Sequence, residues 1–87
     1  MKEERIGLVS HYYSHLGVAA VVMEGELEVG DTIHIKGHTT DLIQKVESIQ
    51  LEHKDIKEAK KGEDVGIKVK EHVRVQDVVY RVVDASD

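Results

Sequence analysis

Six histidines are the most conspicuous chemistry in this chain of 87 residues. His11 and His15 stand four apart, and so do His34 and His38. On a helix that spacing puts two imidazoles on one face, where they could grip zinc. The residues around them argue otherwise: both pairs fall in stretches that read as strand and turn. Four strand residues span about 13 Å, too far for one ion unless the chain doubles back. There is no H-E-x-x-H, and the absence of cysteine excludes disulfides and thiolate-ligated zinc. We therefore expect no metal site and no cofactor. The histidines should be exposed or partly buried, some of them tuning a response to pH.

Other catalytic signatures are missing. No G-x-x-x-x-G-K-[ST] occurs, so there is no backbone cradle for nucleotide phosphates and no GTP hydrolysis. No nucleophile elbow, paired-carboxylate spacing or dyad stands out, and an enzyme is not expected. The 12 Lys and Arg against 17 Asp and Glu give a net charge of −5. That opposes a non-specific polyanion binder and leaves room only for a local basic patch. Lys54, Lys57, Lys60, Lys61, Lys68, Lys70, His72 and Arg74 interleave with Glu52, Asp55, Glu58, Glu63, Asp64 and Glu71, which reads as a solvated mixed face. His11, Tyr12 and Tyr13 can stack nucleobases or fill a core. In a chain without Phe or Trp, Tyr80 and one of Tyr12 and Tyr13 are expected to pack inside.

The elements that must position these residues are strands. Val and Ile together number 21, and seven Gly punctuate the chain. Side chains stiff at χ1 favour pleated surfaces, so many short strands are predicted. Ile6 to Tyr13 reads as the first strand, with a turn at Ser14 to Gly17. Val18 to Met23 has little polar alternation, as if buried on both faces. Turns at Glu24 to Glu26 and Leu27 to Asp31 lead to Thr32 to Lys36, where Ile33 and Ile35 point one way and Thr32, His34 and Lys36 the other. Leu42 to Leu51 reads as one strand with a β-bulge near Glu47-Ser48, because Val46 and Ile49 are three apart. Asp55 to Glu58 reads as one capped helical turn. Val65, Ile67 and Val69 alternate with Gly66, Lys68 and Lys70. Val78 to Val83 is the last strand, and Asp84 to Asp87 a frayed tail. Closure removes exposed edges, so the expected architecture is all-β, a small closed antiparallel β-barrel.

With those elements placed, three motifs resemble the second domain of translational GTPases such as elongation factor Tu. They are Glu24 to Ile35 (EGELEVGDTIHI), Val46 to Leu51 (VESIQL) and Lys61 to Ile67 (KGEDVGI). The resemblance covers about residues 6–83 of a single domain, 1–87. It implies a non-catalytic binding module that contacts RNA, a tRNA or a ribosomal element, without a GTPase domain. By motif alignment the contact positions are Gln50, Glu52, His53 and Asp64, with Lys54 beside them. In that reading His53 and Lys54 meet phosphates and Gln50 reads a ribose hydroxyl. The family commonly has Glu at Gln50 and Asn at Asp64, and Ala20 and Val21 replace its glycine and arginine, so the site is partly eroded. A similar barrel occurs at the C-terminus of collagenase-like peptidase family proteins. The alternative is therefore a protein-docking subunit of a larger enzyme. Gly66 should allow the close approach of a neighbouring backbone or large side chain.

Residues 6–23 carry no Asp, Glu, Lys or Arg, but Ser10 to His15 interrupt them, so no spanning helix is expected. Lys2 to Arg5 does not look like a signal peptide, and the cytoplasm is the expected compartment.

Overall fold

Strands take up most of the Val and Ile alternation in this computed structural model, which describes residues 2–83. In chain order they are β1 (Lys2–Tyr13), β2 (Val18–Met23), β3 (Leu27–Glu28), β4 (Thr32–Lys36), β5 (Asp41–Lys45), β6 (Ile49–Leu51), β7 (Lys54–Ile56), β8 (Glu58–Ala59), β9 (Asp64–Lys68) and β10 (Val78–Val83). Eight of them hydrogen-bond in the order β5-β4-β10-β1-β2-β9-β6-β7, and β3 pairs with β8. Every pairing is antiparallel. The all-β class is as expected. No helix is long and apolar enough to cross a membrane among the described residues.

The inner face carries the core: Val21, Ile33, Ile35, Ile49, Ile67 and Val79 are all buried, with Ile6 and Val9 beside them. Truncating one such side chain to Ala costs about 2–5 kcal/mol. β1 curls around this core with two register shifts, one between Arg5 and Gly7 and one between Val9 and His11. Each adds a residue and flips the strand's parity. Ile6 and Val9 therefore face inward at three-residue spacing, and Tyr12 packs on the same cluster from a half-buried position. Tyr80, expected inside, is half-buried on the outer face beside His34, and Tyr13 is exposed.

Three local expectations are corrected. Leu42 to Leu51 is not one bulged strand. β5 ends at Lys45 and β6 starts at Ile49, because the backbone of Val46 is spent elsewhere: its N–H donates to the Asp31 carbonyl (2.8 Å) and its carbonyl accepts from Gly30 N–H (2.9 Å). Asp55 to Glu58 is not a helical turn. β7 pairs with β6 in a tight hairpin and β8 with the distant β3, so these ladders outcompete the local capping pattern. Val18 to Met23 is not buried on both faces: Ala19, Val21 and Met23 point in, and Val18, Ala20 and Val22 point out. Asp84 to Asp87, expected as a tail, lie outside the described residues.

The eight-stranded ladder ends at β5 and β7 and does not itself close. The segment 29–31 crosses the gap, with Val29 N–H donating to the Lys57 carbonyl (2.9 Å) beside the two bonds to Val46.

Candidate functional site

A trough runs over the outer face of β1, β2, β9 and β6, and its floor is a row of small residues. His11, Ala20, Gly66 and Gln50 lie side by side across four strands. Ala20 and Gly66 in the middle leave space between the taller flanks. Gly66 is a close-approach site, though to a side chain of moderate size: a Cβ there would stand 3.1 Å from Val18 Cγ1. β6 and β9 pair only at Ile49–Ile67 and Gln50–Gly66. Beyond that point they separate, leaving Leu51, Glu52 and His53 on one bank and Asp64 and Val65 on the other. The space is about 590 Å³.

The β1 bank is aromatic. The bulge before His11 brings His11 and Tyr13 to the outer face, their ring centroids 4.3 Å apart and tilted by 57°. Leu16, at the tip of the β1–β2 hairpin, is 65% exposed and borders the same space. Ser10, the extra residue of the bulge, donates its hydroxyl to the Ala20 carbonyl at 3.3 Å. That hydroxyl is committed to backbone and not to an imidazole.

The opposite bank is strained. Glu52 and His53 form the two-residue loop between Leu51 and Lys54, with φ of 53° and 68°. Two consecutive positive φ values are what a type I′ hairpin turn requires, and Asn-Gly is the pair that meets them cheaply. A Glu or His in the left-handed region costs about 1 kcal/mol or more. Among the described residues neither the Glu52 nor the Asp64 carboxylate makes an ion pair or a side-chain hydrogen bond.

Four of the five residues singled out from the sequence therefore meet: Gln50, Glu52, His53 and Asp64 all line the trough. Lys54 does not. It lies past the turn, on exposed β7, and the Gln50 amide donates to Asp55 Oδ1 (3.1 Å). That His11, Tyr13, Ala20 and Gly66 share one trough with these residues was missed, although His11 and Tyr13 were read as able to stack and Gly66 as a close-approach site. The signal for it was the pair of small residues, Ala20 and Gly66, at outward positions of neighbouring strands.

A second polar cluster occupies the outer face of β5, β4, β10 and β1. His34 points outward on β4 yet is only 9% exposed. Its Nδ1 lies 2.5 Å from Glu3 Oε2 on β1, and its Nε2 lies 2.5 Å from Asp41 Oδ1 on β5. With a carboxylate at each nitrogen, the ring fits best as an imidazolium donating both hydrogens. Burial pulls its pKa down, but the hydrogen bonds to Asp41 and Glu3 outweigh burial and hold it above the ordinary 6.5. Lys36 Nζ adds a contact to Glu3 at 3.8 Å and lies 5.3 Å from the Tyr80 ring centroid. Neither nitrogen keeps a free lone pair for a metal. No group of three or more His, Asp or Glu able to hold a metal ion occurs among the described residues.

No protein-family model matches the chain. It is 45% identical over 76 residues to an uncharacterized protease of Methanocaldococcus jannaschii, covering 86% of this chain and 19% of that protein. It is 47% identical over 78 residues to a collagenase of Porphyromonas gingivalis, covering 87% of this chain and 22% of that protein. The chain thus spans about a fifth of the length of the curated relatives it matches. In fold it is similar to the C-terminal domain of a Geobacillus thermoleovorans protein described as a U32 peptidase. The TM-score is 0.86 at 24% identity, over 92% of this chain and 93% of that one. A selenomethionine variant of that domain gives 0.83 at 25% identity, over 87% and 96%.

These matches correct the reading taken from the motifs. The relatives are protease-type proteins and the structural neighbour is a U32 peptidase domain, not the second domain of a translational GTPase. The RNA-binding role, the tRNA or ribosomal partner and the place in protein synthesis came only through that resemblance, and they fall with it. The turn, the break between β5 and β6 and the glycine-containing start of β9, where the motifs that carried the resemblance fall, are features of the fold.

Proposed function

We propose that this chain is a non-catalytic β domain of the U32 peptidase type that docks on a larger catalytic polypeptide, with the trough as its docking face. The observation that carries the reading is the mismatch in coverage. The similarity takes in 86–87% of this chain but only 19–22% of the protease-type relatives. What corresponds is one module of a larger protein. The trough is the face best suited to dock: it is concave, floored by small residues and banked by exposed Tyr13 and Leu16. A catalytic role has little support, since Ser10 is tied to backbone and His34 to two carboxylates.

The core of the domain is residues 6–83, and the 29–31 bridge closes the sheet into a small barrel in this reading. A closed rim would hold the two banks at a constant separation.

The test takes the Methanocaldococcus jannaschii protease with its 76 matching residues removed and mixes it with the 87-residue chain. Co-migration in size exclusion at low micromolar concentration, lost when Tyr13 and Leu16 are both changed to Ser, is the expected result. Separate migration, or cleavage of a peptide substrate by the chain alone, would overturn the reading.

A further inference from the structure

The trough has a chemical polarity that its docking role does not require. At one end stand Glu52 and Asp64, with no ion pair among the described residues. The other end continues past Gly66 to Ser48 and Lys68. Between them lie Val18, Leu16 and the tilted His11–Tyr13 pair. Glu3, Glu4, Glu24 and Asp41, by contrast, face cations or an imidazole.

We infer that the occupant of the trough is an extended polypeptide segment of the larger protein carrying an Arg or Lys beside an apolar side chain. This rests on the docking reading and deepens it. The basic head sits between Glu52 and Asp64, where two carboxylates attract it. The neighbouring apolar side chain lies against Leu16 and Val18. A net charge of −5 steers a basic segment toward this surface and repels an acidic one. The occupant also explains the turn. An Asn-Gly loop would relieve the strain but would remove the Glu52 carboxylate and the His53 ring from the bank.

The experiment is a two-dimensional amide NMR titration of the 87-residue chain with two synthetic peptides, acetyl-Leu-Arg-Leu-amide and acetyl-Leu-Glu-Leu-amide. The arginine peptide is expected to shift the amides of Leu16, Ala20, His53 and Gly66. It should bind about tenfold more tightly than the glutamate peptide, the size two exposed charge pairs allow. Raising the salt to 0.5 M should shrink that preference. The double variant Glu52→Gln, Asp64→Asn should keep its spectrum elsewhere and lose the preference. Equal binding of both peptides at the trough overturns the basic occupant and leaves the docking face standing. Absence of shifts at the trough with either peptide overturns both. A preference that survives the double variant places the basic side chain elsewhere and also overturns the inference.

Discussion

The two outer faces that share β1 treat their charges in opposite ways. Around His34, each acid meets a cation or an imidazole within the molecule: Glu3 and Asp41 hold the ring, Lys36 leans on Glu3, and Arg81 reaches Glu4 at 2.6 Å. Across the trough, Glu52 and Asp64 hold nothing, and the backbone that presents Glu52 is in the left-handed region. The first face uses charge to join three strands. The second accepts strain to expose charge. The contrast sets a cluster satisfied within the molecule against the surface proposed above for docking, without reference to residue type, since both are built from His, acid and Tyr.

The largest expected effect tests the braced side. His34→Ala removes a buried imidazole and leaves two carboxylates facing each other across its space. A loss of about 2 kcal/mol in urea denaturation is expected, the scale of a hydrogen bond to a charged group once its partner is deleted. Asp41 is largely exposed, which keeps the figure below that of a fully buried ion pair. A loss under 0.5 kcal/mol would show that water replaces the ring freely and that the cluster braces nothing.

The same cluster has a sign in pH. The folded-state pKa of His34 is raised, so its stabilisation is fully present below the unfolded value of about 6.5. It is lost as pH rises through the raised folded value. The chain should therefore become more stable as pH falls from about 8 to about 6, and His34→Gln should flatten that rise. A wild-type midpoint that drops over this interval would contradict the imidazolium geometry.

How much of this was legible in the residues differs between the two faces. The branched apolar runs Val18 to Met23 and Val78 to Val83 marked β2 and β10, and alternation placed β4 at its observed limits, because a half-buried strand writes its faces into a period of two. It put His34 outward, which is correct, but could not show it buried. That burial needs Glu3 from β1, 31 residues away, and Asp41 from β5, which only the β4–β5 pairing brings to the ring. Spacing of three marked real irregularities at Ile6 to Val9 to Tyr12, where it went unread. At Val46 to Ile49 the same spacing signalled a break and was read as a bulge. The two cases look alike in sequence and differ only in where the backbone bonds of the odd residue go. Asp55 to Glu58 carried a helix-start pattern that two short ladders overrode. Gln50, Glu52, His53 and Asp64 were singled out together with Lys54, and the first four line one trough. The chemistry first attached to them was wrong because the fold alone does not specify a ligand.

The unpaired side is tested next by relaxing its turn. Glu52→Asn with His53→Gly supplies the residues a type I′ loop prefers. The double variant should gain about 1 kcal/mol, the left-handed cost being partly offset by the extra freedom of Gly in the unfolded chain. It should also weaken association with the truncated protease. Stability gained with association unchanged would make the turn a tolerated defect and would end the contrast between the faces.

The smallest effect on stability is expected at the floor. Gly66→Ala adds one methyl group to β9, and two terms oppose each other. Replacing Gly in a strand interior gains about 0.5–1 kcal/mol from the unfolded chain. The new Cβ stands 3.1 Å from Val18 Cγ1, a few tenths of an ångström too close. Val18 is half-buried and borders open space, so it can turn aside at a cost of similar size. The denaturation midpoint should move by less than about 0.5 kcal/mol in either direction. The floor nevertheless rises between Ala20 and Gln50. Association with the truncated protease should fall several-fold while circular dichroism and denaturation stay as they were. Were stability and association to fall together, Gly66 would belong to the packing of the sheet, and the trough would be a by-product of the fold.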